Sequence, residues 1–136
     1  MPRVVSCVLM DENGNILILK RSDKVRTYKR CWSGVAGYIE EGEHPLDTAY
    51  KELSEEIKLD REDVELVLKS DPVEFTDVYE NERYDWKIYP FLFKTRKKGN
   101  IQIDWEHIEY RWITPSEIVK YDTAPRYKDV VLNLLK

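Results

Sequence analysis

The chain has 136 residues, 42% of them hydrophobic and 35% charged, which predicts one globular domain with its own core over residues 1–136. A net charge of −4, without a long basic run, argues against a long nucleic acid as partner. No apolar run approaches the roughly 20 residues that cross a bilayer. With two cysteines and no signal peptide, we expect a cytoplasmic protein that contacts no membrane.

The N-terminal part of the chain predicts a β-hairpin followed by a helix. Residues 4–10 and 16–19 are apolar strand candidates, and the turn-forming sequence DENGN separates them. A polar, basic loop over residues 21–30 and a short apolar segment over residues 32–39 follow. The main helix is predicted over residues 45–57, because apolar residues recur there at helical spacing and Pro45 suits a first turn.

The C-terminal half alternates between strand and turn patterns. Strands are predicted over residues 64–68, 73–79, 86–93 and 110–113, and turns over residues 81–85 and 97–100. Thr114 is a candidate N-cap for a short helix, and residues 125–136 predict a final helix. A main helix among many strands predicts an α/β fold, a mixed sheet with helices on its faces.

Three carboxylates share one face of the predicted main helix. At about 100° per residue, Glu52, Glu55 and Glu56 fall within an arc of roughly 100°, away from the apolar face. Like charges at this spacing oppose helix formation, so a bound cation would explain the cluster. Carboxylates are hard ligands and suit Mg²⁺ or Mn²⁺. A solvated acidic face is the alternative, and the triplet alone favours it.

The residues around this triplet resemble a known motif. From Gly37 the sequence GYIEEGEHPLDTAYKELSEEIKL is similar to the Nudix box, G-x5-E-x7-R-E-U-x-E-E-x-G-U, where U is a bulky aliphatic residue. The positions in register are Gly37, Glu43, Glu52, Leu53, Glu55, Glu56 and Leu59. The chain thus resembles the MutT-like Nudix hydrolases. This implies an α/β/α sandwich with a mixed sheet and a catalytic loop–helix–loop.

The resemblance assigns roles to the residues of the box. It implies that Glu52, Glu55, Glu56 and the carbonyl of Gly37 bind Mg²⁺, with Mn²⁺ as a substitute, and that Glu52 or a nearby carboxylate deprotonates the attacking water. Glu43 would support the loop–helix–loop by pairing with Lys51.

Two lysines depart from the motif. Lys51 replaces an arginine that orients the catalytic carboxylate, and loses its planar fork. Lys58 replaces the glycine that ends the helix, where a left-handed residue is favoured.

Candidate residues also lie outside the box. Many Nudix enzymes carry a glutamate before a late strand that contains tryptophan, and Glu106 is the candidate for such a base or extra ligand. A surface acid is an equal alternative. Arg21 follows a predicted strand and is a candidate phosphate contact. Tyr84 and Trp86 are candidates for stacking on a nucleobase, although core packing explains Trp86 equally well.

These features predict divalent-metal-dependent hydrolysis of a phosphoanhydride bond in a nucleoside diphosphate derivative. A nucleoside triphosphate or similar small nucleotide is the first candidate for the substrate. One alternative is a Nudix-fold module that binds a nucleotide without cleaving it. Another is the isopentenyl diphosphate isomerase branch of the fold, whose chemistry needs a well-placed cysteine. Cys31 is near the box but lacks the cysteine-motif neighbours of that branch. A homodimer is a further expectation from the resemblance.

Overall fold

The computed structural model describes residues 2–136, as one sheet with helices on both faces. Its helices are α1, Pro45–Ile57, and α2, Tyr127–Leu134, and three short 3-10 segments occupy Arg61–Asp63, Lys98–Asn100 and Pro115–Lys120. The strands are β1 Arg3–Met10, β2 Ile16–Arg21, β3 Trp32–Ser33, β4 Val35–Tyr38, β5 Val64–Lys69, β6 Val73–Tyr79, β7 Glu82–Thr95 and β8 His107–Ile113.

The sheet is mixed and centres on β1. Strand β1 runs parallel to β7 on one side, and on the other it pairs antiparallel with β4 and, at Met10–Ile16, with β2. Strand β2 continues the sheet through β3 and β8, while β7 pairs with both β5 and β6. The antiparallel β1–β4 pairing brings Gly37 opposite Val5, so the end of β4 lies at the middle of the sheet.

Each face of the sheet packs against one helix. The apolar residues of α1, Ala49, Leu53 and Ile57, are fully buried against one face. On the other face, Val130 and Val131 of α2 close a second core cluster. Both layers follow from the helical spacing of the apolar residues, and the predicted α/β/α sandwich is confirmed. Within the described part of the chain, no helix has the length and hydropathy of a membrane span.

The predicted turn over residues 81–85 is wrong. The turn between β6 and β7 consists of Glu80 and Asn81, both with positive φ, at 49° and 67°. Tyr79 pairs directly with Glu82 across this tight hairpin, so β7 starts at Glu82 and not at Trp86. Positive φ at both central residues matches the right-handed twist of the strands, so the polar residues directly after the turn already pair with β6.

Other boundaries differ by a few residues. Strand β8 begins at His107 rather than at residue 110, because its pairing with β2 extends to Arg21–His107. The last helix starts at Tyr127, two residues after Pro125, since Arg126 adopts a left-handed conformation with φ 67°. The N-cap at Thr114 is confirmed, although the segment that follows is a 3-10 helix.

Helix α1 begins and ends at the predicted residues, and it ends in a left-handed residue. Lys58 has φ 64° and ψ 31°, and its backbone N–H donates to the carbonyl of Ser54 at 3.2 Å. A side chain with a Cβ atom in this conformation costs about 1 kcal/mol relative to glycine. The helix therefore keeps the geometry that glycine favours while carrying a lysine.

We expect Lys58→Gly to raise the free energy of unfolding by about 1 kcal/mol, because glycine removes the left-handed penalty. Urea denaturation would measure the difference. Lys58→Ala is the matched control: it also removes the hydrogen bond from Lys58 Nζ to the Glu55 carbonyl but keeps the Cβ atom. A glycine variant no more stable than the alanine variant would contradict the expectation.

Candidate functional site

The end of β4 and the buried side of α1 form the base of the candidate site. A Cβ atom on Gly37 would lie 2.3 Å from the Glu52 carboxyl carbon, so only glycine lets the helix carboxylate approach the strand this closely. One turn further along α1, Glu56 Oε1 accepts a hydrogen bond from the backbone N–H of Ala36 at 3.4 Å. The strand backbone and the two glutamates are thus held in contact.

Three carboxylates converge at this point. Glu52, Glu56 and Glu106 each offer an oxygen, and these oxygens lie within 4.8 Å of one another. Glu52 and Glu56 are buried, with 8% and 1% of their surface exposed, and Glu106 is half-buried. Glu106 comes from the loop before β8, far along the chain from α1. Glu55, predicted as a ligand with its two neighbours, is exposed and lies on the rim of this cluster, because its position on α1 faces solvent.

Burial and mutual repulsion disfavour ionisation of the converging carboxyl groups. Burial raises the pKa of the Glu56 carboxyl well above its usual value, and its Oε2 atom has no hydrogen-bond partner. Burial also raises the pKa of Glu52, and it raises that of Glu106 to about 7, with the neighbouring Asp104 adding to the Glu106 shift. Buried carboxylates of this kind hold either protons or a cation.

A buried histidine supports the cluster from behind. His107, only 5% exposed, places Nδ1 3.1 Å from Asp104 Oδ1 and Nε2 3.7 Å from Glu56 Oε1. Burial lowers the pKa of this imidazole below its usual value. The sequence analysis did not identify Asp104, because the loop before β8 has no hydrophobic periodicity. The spacing of an acid three residues before a histidine is the one local signal that could have found this contact.

Glu43 and Lys51 brace the loop before α1, as the motif implies. Lys51 Nζ donates to Glu43 Oε2 at 2.9 Å, and Glu43 Oε1 accepts from the backbone N–H of Glu40 at 2.9 Å. These bonds lower the pKa of the Glu43 carboxyl, and the ion pair raises that of Lys51. Lys51 therefore pairs with Glu43 at the position where the motif has arginine, through one hydrogen bond instead of the two that a guanidinium can donate.

A partly enclosed cavity of about 150 Å³ opens beside the carboxylates. Apolar and aromatic side chains dominate its lining, which includes Val4, Val5, Phe75, Trp86, Ile88 and Val130. Arg21 and Trp86, both predicted substrate contacts, line it. Tyr84, the third, is not among the lining residues. It stacks on Trp86 with ring centroids 5.2 Å apart and an interplanar angle of 7°. A ring-shaped group suits this cavity, since an apolar cavity of about this size admits benzene.

Hydrogen bonds fix one wall of this cavity. The indole N–H of Trp86 donates to Tyr28 Oη at 3.0 Å, and Tyr28 Oη donates to Asp77 Oδ2 at 2.8 Å. Tyr28 belongs to the loop between β2 and β3, whereas Trp86 and Asp77 lie on β7 and β6. This chain of bonds anchors the loop against the sheet, so the cavity is formed before any ligand enters.

An open groove of about 450 Å³ also borders the carboxylates. Besides Glu52 and Glu106, its lining residues are Ala36, Gly37, Tyr38, Glu40, Glu55, Lys58, Asp104 and Trp105. Trp105 and Tyr38 are 62% and 46% exposed, and neither is identified by a sequence motif. The cavity and the groove share Ala36, Gly37, Tyr38 and Glu106, so they meet at the carboxylate cluster.

The residues present fit a divalent cation. Three carboxylate oxygens converge, and a buried Glu56 oxygen has no hydrogen-bond partner. Because Gly37 has no Cβ atom, the Glu52 carboxyl can lie directly against the strand. An all-oxygen set of this kind is the donor chemistry of Mg²⁺ and Mn²⁺. Such a site, next to a cavity that admits a ring, can hold a phosphorylated ligand with its phosphates at the carboxylates.

Comparison with known protein families gives one match, along most of the chain. The family model described as NUDIX domain matches residues 1–134. The same fold is seen in the crystal structure of an Ap4A hydrolase binary complex from C. elegans, with a TM-score of 0.79 and 15% sequence identity. The alignment covers 99% of this chain and 96% of that one, and at this identity it establishes the fold alone.

Two curated relatives differ in function. An isopentenyl-diphosphate Δ-isomerase from Halobacterium salinarum is 27% identical over 92% of this chain, and this chain spans 58% of its length. A nucleoside triphosphatase, NudI, from Escherichia coli is 24% identical over 88% of this chain and 87% of its own length. The chain therefore spans about three fifths of the length of the isomerase and is similar in extent to the triphosphatase.

Proposed function

Because this chain belongs to the Nudix family, we propose that it is a divalent-metal-dependent hydrolase that cleaves a phosphoanhydride bond in a nucleoside diphosphate derivative. The observation that carries the proposal is the convergence of Glu52, Glu56 and Glu106 within 4.8 Å, at the junction of an aromatic cavity and a groove. A plain solvated acidic face would leave these side chains in water, whereas two of the three are buried.

The side chains of the cluster divide into ligands and a base. Glu52 and Glu56 would hold Mg²⁺ or Mn²⁺, with the Gly37 carbonyl and Glu55 available as further ligands, and Glu106 would be left as the base. The cation, when bound, would offset phosphate charge and lower the pKa of the attacking water. Lys51 and Glu43 would hold the loop and the start of α1 in place through their ion pair.

Glu106 is the best placed general base. It is half-buried at the point where the cavity and the groove meet, so it can reach a water molecule at the cluster. Burial raises its pKa to about 7, and a cation held by Glu52 and Glu56 would lower that pKa and favour the ionised carboxylate that a base needs. It would accept a proton from water while the water oxygen bonds to phosphorus. The bridging P–O bond then breaks, and the leaving phosphate departs with the electron pair.

Arg21 and Trp86 supply the substrate contacts that we propose. Arg21 lines the cavity, and its guanidinium is held by a hydrogen bond from Nε to the Thr27 carbonyl at 3.0 Å. Its remaining N–H groups would meet a phosphate. Trp86 would contact a ring in the cavity, and Tyr84 would stiffen Trp86 by stacking on it. A nucleoside triphosphate or a similar small nucleotide is the first substrate to test; a homodimer and a cytoplasmic location remain predictions.

Neither alternative fits the site as well. A module that only binds nucleotides has no need to keep Glu52, Glu56 and Glu106 together. The isomerase chemistry needs a cysteine at the substrate, but neither Cys7 nor Cys31 lines the cavity or the groove. Cys7 is fully buried, which raises its thiol pKa well above the usual value.

We expect a screen of nucleotide derivatives with Mg²⁺ or Mn²⁺ to find at least one that yields a nucleoside monophosphate or diphosphate. The screen would include nucleoside triphosphates, dinucleoside polyphosphates, ADP-ribose and nucleotide sugars, with products identified by chromatography. EDTA should abolish the reaction, because the carboxylates repel the phosphates and only a bound cation offsets the negative charge of both. Binding of a nucleotide without any metal-dependent product would favour the module, and conversion of isopentenyl diphosphate to its isomer would favour the isomerase.

A further inference from the structure

A buried pair of side chains, Asp104 and His107, lies behind the carboxylate cluster, and the reaction proposed above gives it no part. The side chain of His107 is 2% exposed and that of Asp104 is 12% exposed. His107 lines neither the cavity nor the groove, so a ligand in these spaces does not touch it. Any effect of His107 on the reaction must therefore pass through a neighbouring side chain.

The two oxygens of the Glu56 carboxyl group have different neighbours. Nε2 of His107 lies 3.7 Å from Oε1, and the backbone N–H of Ala36 donates to the same oxygen at 3.4 Å. Oε2 has no hydrogen-bond partner. Because both of these contacts fall on Oε1, they restrict the rotation of the carboxyl group and leave Oε2 available to a cation.

Asp104 connects the imidazole to the residue that we propose as the base. Its Oδ1 atom lies 3.1 Å from His107 Nδ1 and accepts the backbone N–H of Glu106 at 3.2 Å. The backbone carbonyl of Asp104 also accepts the N–H of His107 at 3.2 Å. One acid therefore fixes both the ring beside Glu56 and the backbone that carries Glu106.

Fold stability alone gives little reason for a polar pair at this place. Replacing a buried hydrogen-bonded pair by apolar side chains of similar shape is often neutral or stabilising. Asp104 also adds a negative charge beside Glu106, whose pKa it helps to raise. Polar side chains behind a metal site commonly orient the ligands, and their replacement weakens metal binding or activity.

We propose that His107 and Asp104 are positioning residues that set the geometry between Glu56, a ligand of the cation, and Glu106, the base. His107 holds Oε1 of Glu56, so that Oε2 is presented to the cation. Asp104 holds the imidazole ring and the backbone of Glu106 in one arrangement. The inference rests on the proposed function and adds two residues that act on the site without touching the substrate through the imidazole.

The first test replaces the imidazole by a ring without nitrogen atoms. His107→Phe should raise the Kd for Mn²⁺ of the nucleotide-free protein by about tenfold, which isothermal titration calorimetry would measure. At saturating Mn²⁺, with a substrate found in the screen, kcat should fall by about tenfold. KM should change by less than about threefold, because His107 lines neither space. His44→Gln, at the exposed histidine before α1, is the control and should change none of these values.

A matched pair of variants at Asp104 separates charge from hydrogen bonding. Asp104→Asn and Asp104→Ala both remove the negative charge, but only alanine removes the oxygen that accepts the Glu106 N–H. Asp104→Ala should therefore show a Kd for Mn²⁺ about tenfold higher than Asp104→Asn, and a lower kcat. Asp104 is only partly buried, so this pair carries the test even where His107→Phe fails to fold.

The results distinguish a positioning role from a structural one. A lower unfolding temperature of His107→Phe in EDTA, with unchanged Mn²⁺ affinity and kcat, would mean that the pair only stabilises the fold. Equal values for Asp104→Asn and Asp104→Ala would mean that only the charge matters. Either result would overturn the inference and leave the hydrolase proposal intact. A wild-type protein that binds Mn²⁺ but yields no product in the screen would overturn the proposed function, while the Mn²⁺ affinities of the variants still decide the positioning role.

Discussion

Glu56→Gln should lower kcat by about three orders of magnitude. Metal binding stabilises the transition state by several kcal/mol, and each 1.36 kcal/mol corresponds to about tenfold in rate. Glu56 is the most buried of the converging carboxylates, and its Oε2 atom has no hydrogen-bond partner in the protein. An amide at this position would remove a negatively charged ligand that no other group replaces. Single-turnover kinetics at saturating Mg²⁺ would measure the loss.

Two variants on the same protein make this test specific. Glu55→Gln removes an equal charge from the adjacent residue, but Glu55 is exposed and outside the converging set, so the loss should be no more than about tenfold. Glu65→Gln, on the exposed side of β5, should leave kcat unchanged. A larger effect at Glu55 than at Glu56 would mean that the cation is held on the solvent side of α1 and that the site is misassigned.

Without divalent cations, the protein should become less stable as pH rises from about 4.5 to 7. Burial raises the pKa of Glu106 from 4.5 to about 7, and it raises the pKa values of Glu52 and Glu56 as well. A carboxyl group with a raised pKa binds its proton more tightly in the folded state. Its stabilising effect is complete below the unfolded-state pKa and is lost as pH rises through the folded-state pKa.

Thermal unfolding in EDTA at several pH values would measure this trend. Mg²⁺ or Mn²⁺ should raise the midpoint temperature, and more so at pH 8 than at pH 5, because the cation competes with protons for the same oxygens. His107 titrates with the opposite sign, since burial lowers its pKa. The comparison with Glu106→Gln isolates the glutamate: this variant should show a flatter pH dependence. An identical slope in both proteins would contradict the assignment.

The sequence by itself determined the helix that carries the site. The bounds of α1 and the burial of Ala49, Leu53 and Ile57 follow from apolar spacing over a few turns, which is local information. The Nudix resemblance likewise depends on residues close together in the chain, from Gly37 to Leu59. Charge and spacing placed Glu52, Glu55 and Glu56 on one face of the helix, and the resemblance then predicted that they hold a cation.

Only the tertiary structure decided which acids meet. Glu55 and Glu56 are adjacent on α1, yet one faces solvent and the other faces β4, because the helix packs with Ala49 and Leu53 against the sheet. Glu106 completes the cluster because β8 pairs with β2 and carries the preceding loop to the end of β4. No local pattern specifies such a long-range pairing.

The positions of the aromatic side chains beside the site also depend on the tertiary structure. Tyr84 lies two residues before Trp86, on the same face of β7, and stacks on its ring without lining the cavity. Its contact with a base stays a prediction. Trp105 stands in the groove because hydrogen bonds fix the backbone around it. Strand register and loop anchoring are properties of the whole sheet, and they place side chains that sequence spacing alone leaves undetermined.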